Sequence, residues 1–273
     1  MGSQAGTPQA AEPQPTPELF YESQNTTGKE SILFIHGACG SSQEWANVTP
    51  DLVLKGYHVL LPDLPAHGRS ITIHPFTVEY AADRVIALIA TQAKNGRAHV
   101  VGLSLGAHIA ACVAERAKPG QIVSVIASGY NTIPRSRLFT SLIIPPIYML
   151  HHLVNLAASP RVELAQWKNG DAGYGLMTAV VKAIFEPRVV GDIRARVLVV
   201  CAASPKTWLS RDRVESSRAL FACVVGEEGG GSRVVLHRSV RHAWHMEEPD
   251  LFAEMVLAWV RGEKLDVAFE DVR

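Results

Sequence analysis

The chain has 273 residues, 47% of them hydrophobic and 19% charged, with 26 Lys+Arg against 26 Asp+Glu. At this length one large α/β domain is as expected as two small ones, and the core can be substantial. Zero formal net charge and the lack of any Lys/Arg block remove the attraction to phosphate on which nucleic-acid binders and polybasic membrane binders depend, so nucleic acid is not an expected partner.

The four cysteines, Cys39, Cys112, Cys201 and Cys223, are scattered without a C-x-x-C pair and read as reduced intracellular thiols. The N-terminus shows neither the basic start nor the apolar stretch of a signal peptide, and residue 6 is Gly where a myristoylation pattern requires Ser or Thr. A cytoplasmic location is therefore expected. The longest run without Asp, Glu, Lys or Arg, Phe139 to Pro160, is interrupted by Pro145-Pro146, His151-His152 and Asn155. It makes a poor membrane span and is expected to be a buried or pocket-lining segment, with no integral membrane association.

In chain order, residues 1–17 are Pro, Gln, Ala, Gly and Thr with almost no apolar bulk, and are expected to form a disordered tail. Residues 18–263 alternate short apolar runs with longer stretches of helical periodicity, the pattern of a mostly parallel sheet covered by helices on both faces. The expected strands are Leu19 to Glu22, Ser31 to His36, Tyr57 to Pro62, His99 to Leu103, Ile122 to Ala127, Val197 to Cys201 and Arg233 to His237. Helices are expected over Glu79 to Ala93, with Ala82, Val85, Ile86 and Ile89 on one face, and over Leu105 to Lys118. A last helix begins near Pro249, carries Leu251, Phe252, Met255, Val256, Trp259 and Val260 as its stripe, and stops at Gly262. Alternation fails over about 131–192, which reads as an inserted, mostly helical cap, and residues 264–273 read as a C-terminal extension.

Gly102-Leu103-Ser104-Leu105-Gly106 stands where an apolar strand turns into a helix. A serine on so sharp a turn has strained dihedrals and points Oγ into a cleft, while glycines two residues to either side let neighbouring backbone pass close by. Ser104 is thus the candidate nucleophile. Nothing suggests a metal or cofactor. The sequence contains no H-E-x-x-H, no G-x-x-x-x-G-K-[ST] and no G-x-G-x-x-G after the first strand, and the adjacent His151-His152 would diverge on a helix.

A second motif, Phe34-Ile35-His36-Gly37-Ala38, ends an apolar strand, and together with the serine turn it resembles the α/β-hydrolase family. The resemblance spans roughly Leu19 to Gly262 and implies that family's fold, with the cap inserted. It further implies an oxyanion hole made by the amides of Ala38 and Leu105. Asp63-Leu64-Pro65-Ala66-His67-Gly68-Arg69-Ser70 resembles the family's D-x-P-G-x-G-x-S turn, with Ala66 where Gly is usual, and is expected to be scaffold. Arg241-His242-Ala243-Trp244-His245-Met246-Glu247-Glu248-Pro249 is similar to the family's late histidine segment, with Arg241 in place of Gly. The match implies His242 as general base, with His245 as the alternative.

The acid is the largest departure. The family places Asp or Glu just after the strand Val197 to Cys201, yet 202–208 contain neither. Asp212 is the nearest carboxylate to that position, Glu215 comes next, and an acid-free dyad stays open, because Asp212 could simply begin a helix. The expected activity is a serine hydrolase cleaving an ester, lactone or thioester of a small apolar molecule, with a weaker similarity, in Phe34 to Gly40 and in Ser128 to Asn131, to hydrolases of secondary-metabolite pathways. A protein of the same fold that binds a small molecule without hydrolysis, or works as a lyase or cyclase, is the alternative.

Overall fold

A computed structural model of the protein describes residues 18–157, 173–186, 188–204, 212–226 and 230–272, with backbone alone over 151–157. The tail expected over residues 1–17 lies outside the described residues. Eight strands form a single sheet: β1 (Tyr21–Gln24), β2 (Ser31–Ile35), β3 (His58–Pro62), β4 (Ala98–Leu103), β5 (Ile122–Ser128), β6 (Arg196–Ala202), β7 (Arg233–His237) and β8 (Glu270–Asp271). Their spatial order is β1-β3-β2-β4-β5-β6-β7-β8, parallel throughout except at the two edges, where β1 runs antiparallel to β3 and β8 to β7. The chain has the fold of the α/β hydrolases. β1 starts two residues later than its composition suggests. β8 comes from the segment read as an extension, and Phe269 beside it is buried in the core.

The helices are α1 (Thr49–Leu54), α2 (Val78–Gln92), α3 (Leu105–Arg116), α4 (Arg137–Ala157), α5 (Tyr174–Phe185), α6 (Val214–Phe221) and α7 (Pro249–Arg261). Alternation along the strands builds two cores. On β2, Leu33 and Ile35 face one cluster with residues of α2, α3, α5 and α6, while Ile32 and Phe34 face the other with Trp45, Leu52, Phe252 and Trp259. Local chemistry sets the ends of the helices. The Thr77 side chain accepts the Tyr80 N–H at 3.0 Å to cap α2, and α7 opens on Pro249 and closes at Gly262 with φ +71°. Cys39, Cys112 and Cys201 are buried and Cys223 is half-buried.

Between β5 and β6 lie α4 and α5, so the segment expected as a cap is mostly helical where it is described. α4 continues through Pro145 and Pro146, which leaves the carbonyls of Ser141 and Leu142 without their ladder donors. Its apolar residues divide. Ile143, Ile144, Ile147 and Tyr148 pack on the main core, whereas Leu142, Met149 and Leu150 are exposed. The side chains of Leu153 and Leu156 lie outside the described residues. Among the described residues no helix is long and apolar enough to cross a membrane.

Candidate active site

From β2 the chain crosses to one side of the sheet and from β4 to the other. The diverging connections open a crevice at the carboxyl ends of those two strands. The loop Gly37–Ala38 leaves β2 at this point, and Ser104 leaves β4. Ser104 has φ +55° and ψ −115°, a conformation that costs a non-glycine residue roughly 1–3 kcal/mol. Its surroundings impose it: the Ser104 N–H bonds Ser128 O at 2.9 Å, and the N–H groups of Ala107 and His108 bond Ser104 O.

The flanking glycines are needed because backbone meets backbone. A Cβ on Gly102 would stand 2.2 Å from Gly106 O, and one on Gly106 would stand 2.2 Å from Ile35 O. Small side chains along α3, including Ala107, Ala110 and Ala111, continue this close approach to the sheet. The amides of Ala38 and Leu105, expected as oxyanion donors, sit at the end of β2 and in the first turn of α3. Neither donates to an acceptor among the described residues.

His242 and Asp212, 30 positions apart, meet through a hydrogen bond of 2.6 Å between His242 Nδ1 and Asp212 Oδ1. The histidine side chain is 24% exposed and the carboxylate fully buried. Two bonds tie Asp212 to the last residue of β6: its own N–H bonds Ala202 O at 3.0 Å, and its Oδ2 accepts the Ala202 N–H at 2.8 Å. This accounts for the missing carboxylate directly after the strand. The chain leaves β6, makes an excursion whose residues 205–211 lie outside the described ones, and returns to the strand end at Asp212. Glu215 is exposed in the first turn of α6, 3.9 Å from Arg213. His245 is buried against the Trp45 ring, with centroids 4.9 Å apart, and lies 3.2 Å from Glu44.

Burial pushes the His242 pKa down, but the bond to Asp212, the charge of Asp212 and the charge of Glu44 outweigh it, leaving the pKa above the ordinary histidine value. The histidine loop is anchored by Trp244, fully buried, whose Nε1 donates to Ser128 Oγ at 3.0 Å. Arg241, which stands where the family has Gly, forms an ion pair with Glu247 across the same loop. Among the described residues Ser104 Oγ has no hydrogen-bond partner, as is common before a substrate tightens such a site.

Two residues that the sequence did not single out complete the geometry. Asn131 Nδ2 donates to Asp212 Oδ1 at 2.9 Å, while its Oδ1 accepts the Arg213 N–H at 2.7 Å and its carbonyl lies 3.0 Å from His108 Nε2. Gly129, at φ +70°, gives the His242 ring its place, since a Cβ there would stand 2.6 Å from Cε1. Both belong to the Ser128–Asn131 segment, for which the sequence offered only a family likeness.

The Asp63 turn is scaffold in the structure. Asp63 Oδ1 accepts the Ser42 N–H at 2.6 Å and Oδ2 the Arg69 N–H at 2.8 Å. His67 is buried with its pKa pushed down to about 3, mainly by that burial, so it is neutral. One turn along α3 from Ser104, His108 stacks on Tyr130 with centroids 4.3 Å apart. The pair lines a cavity of about 220 Å³ whose wall is mixed, with Phe76, Val78 and Ala183 beside the charged Glu79, Lys182 and Arg188. Burial drops the His108 pKa to about 4, so the pair is neutral imidazole and phenol.

A sequence model described as the alpha/beta hydrolase family matches residues 32–255. An AB hydrolase superfamily protein of Gibberella zeae is 41% identical over 252 residues, 92% of this chain and 87% of that protein. Among solved structures, an esterase from Exiguobacterium antarcticum superposes with a TM-score of 0.68 at 14% identity, covering 89% of this chain and 95% of that one. The enol-lactonase from Burkholderia xenovorans LB400 gives 0.64 at 20% identity, covering 89% and 96%. By its sequence match and by its fold, the chain belongs to the alpha/beta hydrolase family.

Proposed function

We propose that the protein is a serine hydrolase that opens an ester-like bond (ester, lactone or thioester) in a small, mainly apolar molecule by way of an acyl-enzyme. The observation that carries this reading is the juxtaposition at the sheet's carboxyl edge: a serine on a strained strand-to-helix turn bonded to Ser128 O and, against the adjoining Gly129, a histidine held at 2.6 Å by a buried carboxylate. In this reading Ser104 Oγ attacks the carbonyl carbon as His242 Nε2 takes its proton. Asp212 keeps Nδ1 protonated and stabilises the imidazolium. The amides of Ala38 and Leu105 receive the tetrahedral oxyanion, each such donor being typically worth about a hundred- to a thousandfold in rate. His242 then protonates the departing group, and water, deprotonated by the same imidazole, releases the acid.

Family membership supports a hydrolase, and the esterase and enol-lactonase that share the fold carry names consistent with ester-like substrates. The apolar part of the cavity wall beside His108, Phe76, Val78 and Ala183, supports an apolar group on the substrate. A fluorophosphonate probe followed by peptide mapping tests the reading. Modification at Ser104, and loss of activated aryl-ester hydrolysis in Ser104→Ala at an unchanged melting temperature, are expected. A folded Ser104→Ala with wild-type turnover would refute the nucleophile, and a protein inert to probe and ester alike would favour a small-molecule binder on this fold.

A further inference from the structure

Beneath the Gly37–Ala38 loop lies a buried carboxylate that the proposed reaction leaves unused. Glu44, in the 3-10 turn Ser42–Trp45, has a side chain only 6% exposed. Burial opposes its ionisation, but His245, His36 and the Gly37 N–H outweigh that, so its pKa stays below the ordinary value and the group is a carboxylate.

This carboxylate faces two loops at once. Oε2 accepts the Gly37 N–H at 3.0 Å, and the loop wraps it so closely that a Cβ on Gly40 would stand 2.3 Å from it. On the other side Oε1 lies 3.2 Å from His245 Nε2. Gly37 immediately precedes Ala38, and His245 follows His242 by three residues. The first loop also holds Cys39 at φ +61°, a conformation that persists only where the surroundings impose it.

A carboxylate buried this way seldom repays its desolvation in stability, so the geometry it enforces is the better explanation for it. We propose that Glu44 is a positioning residue of the hydrolytic site, clamping the loop that carries the Ala38 N–H to the loop that carries His242. It acts through Gly37 and His245 and takes no part in bond making. The inference rests on the serine-hydrolase reading given above.

Glu44→Gln tests it, because the amide keeps an acceptor for Gly37 N–H and loses the charge facing His245. The charged and titratable groups around the clamp are His36, with Asp63 beyond it, and His245; those around His242 are Asp212, Glu44 and His108. On an aryl ester, kcat should fall about 10- to 100-fold, the scale expected when reacting groups drift by about an ångström, with KM changed less than about twofold. Fluorophosphonate labelling of Ser104 should slow by the same factor, and the acid limb of kcat/KM should move to lower pH. His245→Gln should act in the same direction, and the double variant should be no worse than the poorer single one.

A residue that merely supported the fold would lower Tm and the labelled fraction while leaving kcat per labelled site and the pH limb unchanged. That result in folded Glu44→Gln overturns the proposal. Should Glu44→Gln fail to fold, His245→Gln decides by the same readouts. Ser104→Ala is measured alongside. If it retains activity, the serine-hydrolase reading falls and the clamp falls with it. If it is dead while Glu44→Gln behaves as wild type, only the clamp falls.

Discussion

The loops at the carboxyl edge of the sheet and the helical segment between β5 and β6 are held by different forces. In the loops, directed bonds between buried polar groups set each position: Asp212 alone accepts from His242, Asn131 and the Ala202 amide, and Ser104 is pinned by three backbone bonds. In α4 and α5 the contacts are apolar and the surface is incompletely covered, with Leu138 72% and Leu142 68% exposed. Directed bonds specify a geometry to fractions of an ångström, whereas apolar contact specifies little beyond proximity. Reaction chemistry is therefore expected to tolerate almost no change in the loops, and substrate preference to be tunable in the helices.

The sharpest break would come at the acid. Asp212→Asn keeps the shape but can hold the wrong imidazole tautomer and cannot stabilise the imidazolium, so kcat should fall by about 10³- to 10⁴-fold on an activated ester. The pH profile follows from the same contact. An imidazole can act as a base only when neutral and the His242 pKa is raised, so if His242 is the base wild-type kcat/KM should decline as pH falls through a midpoint above 6.5. In the residual activity of Asp212→Asn that midpoint should move down, because burial, which lowers the pKa, would then be less opposed. An unchanged rate in Asp212→Asn, with Glu215→Gln crippled, would transfer the role to α6.

Gly129→Ala probes the precision of the same region without touching a charge. The added Cβ would stand 2.6 Å from His242 Cε1, at a φ of +70° that disfavours alanine, so the ring must move. A loss of about 10²-fold in kcat with KM little changed is expected, since misplacements near an ångström have that effect. Wild-type kcat in a folded Gly129→Ala would mean that the histidine loop is looser than its bonds imply.

These positions also mark what could be read from sequence. Ser104 was legible because its strand-turn-helix setting is local in sequence: Gly102 is dictated by the Gly106 backbone within that unit, and Gly106 adds the close approach to Ile35 O on the neighbouring β2. Asp212 could be reached only as the nearest carboxylate, for its place depends on an excursion that returns to β6. Asn131 was marked only by a weak family likeness and Glu44 by nothing, because Asp212 and His245, which they meet across the site, lie 81 and 201 positions away and approach only once the sheet has formed. The short elements α1 and β8 escaped for a different reason. Six residues and two residues show too little periodicity to stand out.

The helices should respond more gently. If the inward face of α4 roofs the substrate, lengthening an aryl-ester acyl chain from acetate to octanoate should raise kcat/KM by up to about 0.8 kcal/mol per buried methylene. Ile147→Glu should flatten that series while leaving acetate turnover near wild type. Flat specificity in the wild-type protein, together with an unaffected Ile147→Glu, would leave α4 as packing alone.

The smallest expected effect is one of stability, and it returns to the loops. Ala66 occupies the turn after β3 at φ +61°, where the family usually has Gly. The left-handed conformation costs an L-residue roughly 1–2 kcal/mol. Ala66→Gly removes that strain but gives the unfolded chain more freedom, worth about 0.4–1 kcal/mol in the opposite direction. The balance favours the glycine variant by about 0.5 kcal/mol, a rise of a degree or two in Tm for a chain of this length. Turnover should not change, since the turn supports Asp63 and the loop behind it through backbone bonds that glycine keeps: Ala66 N–H to Ser70 O at 3.2 Å and His67 N–H to Leu64 O at 3.0 Å. A lowered Tm would mean that the Ala66 methyl, 5% exposed among the core residues, contributes more by packing than the turn loses in strain. In that case apolar contact would outweigh backbone geometry even within the loops, and the contrast between the two regions would be one of degree.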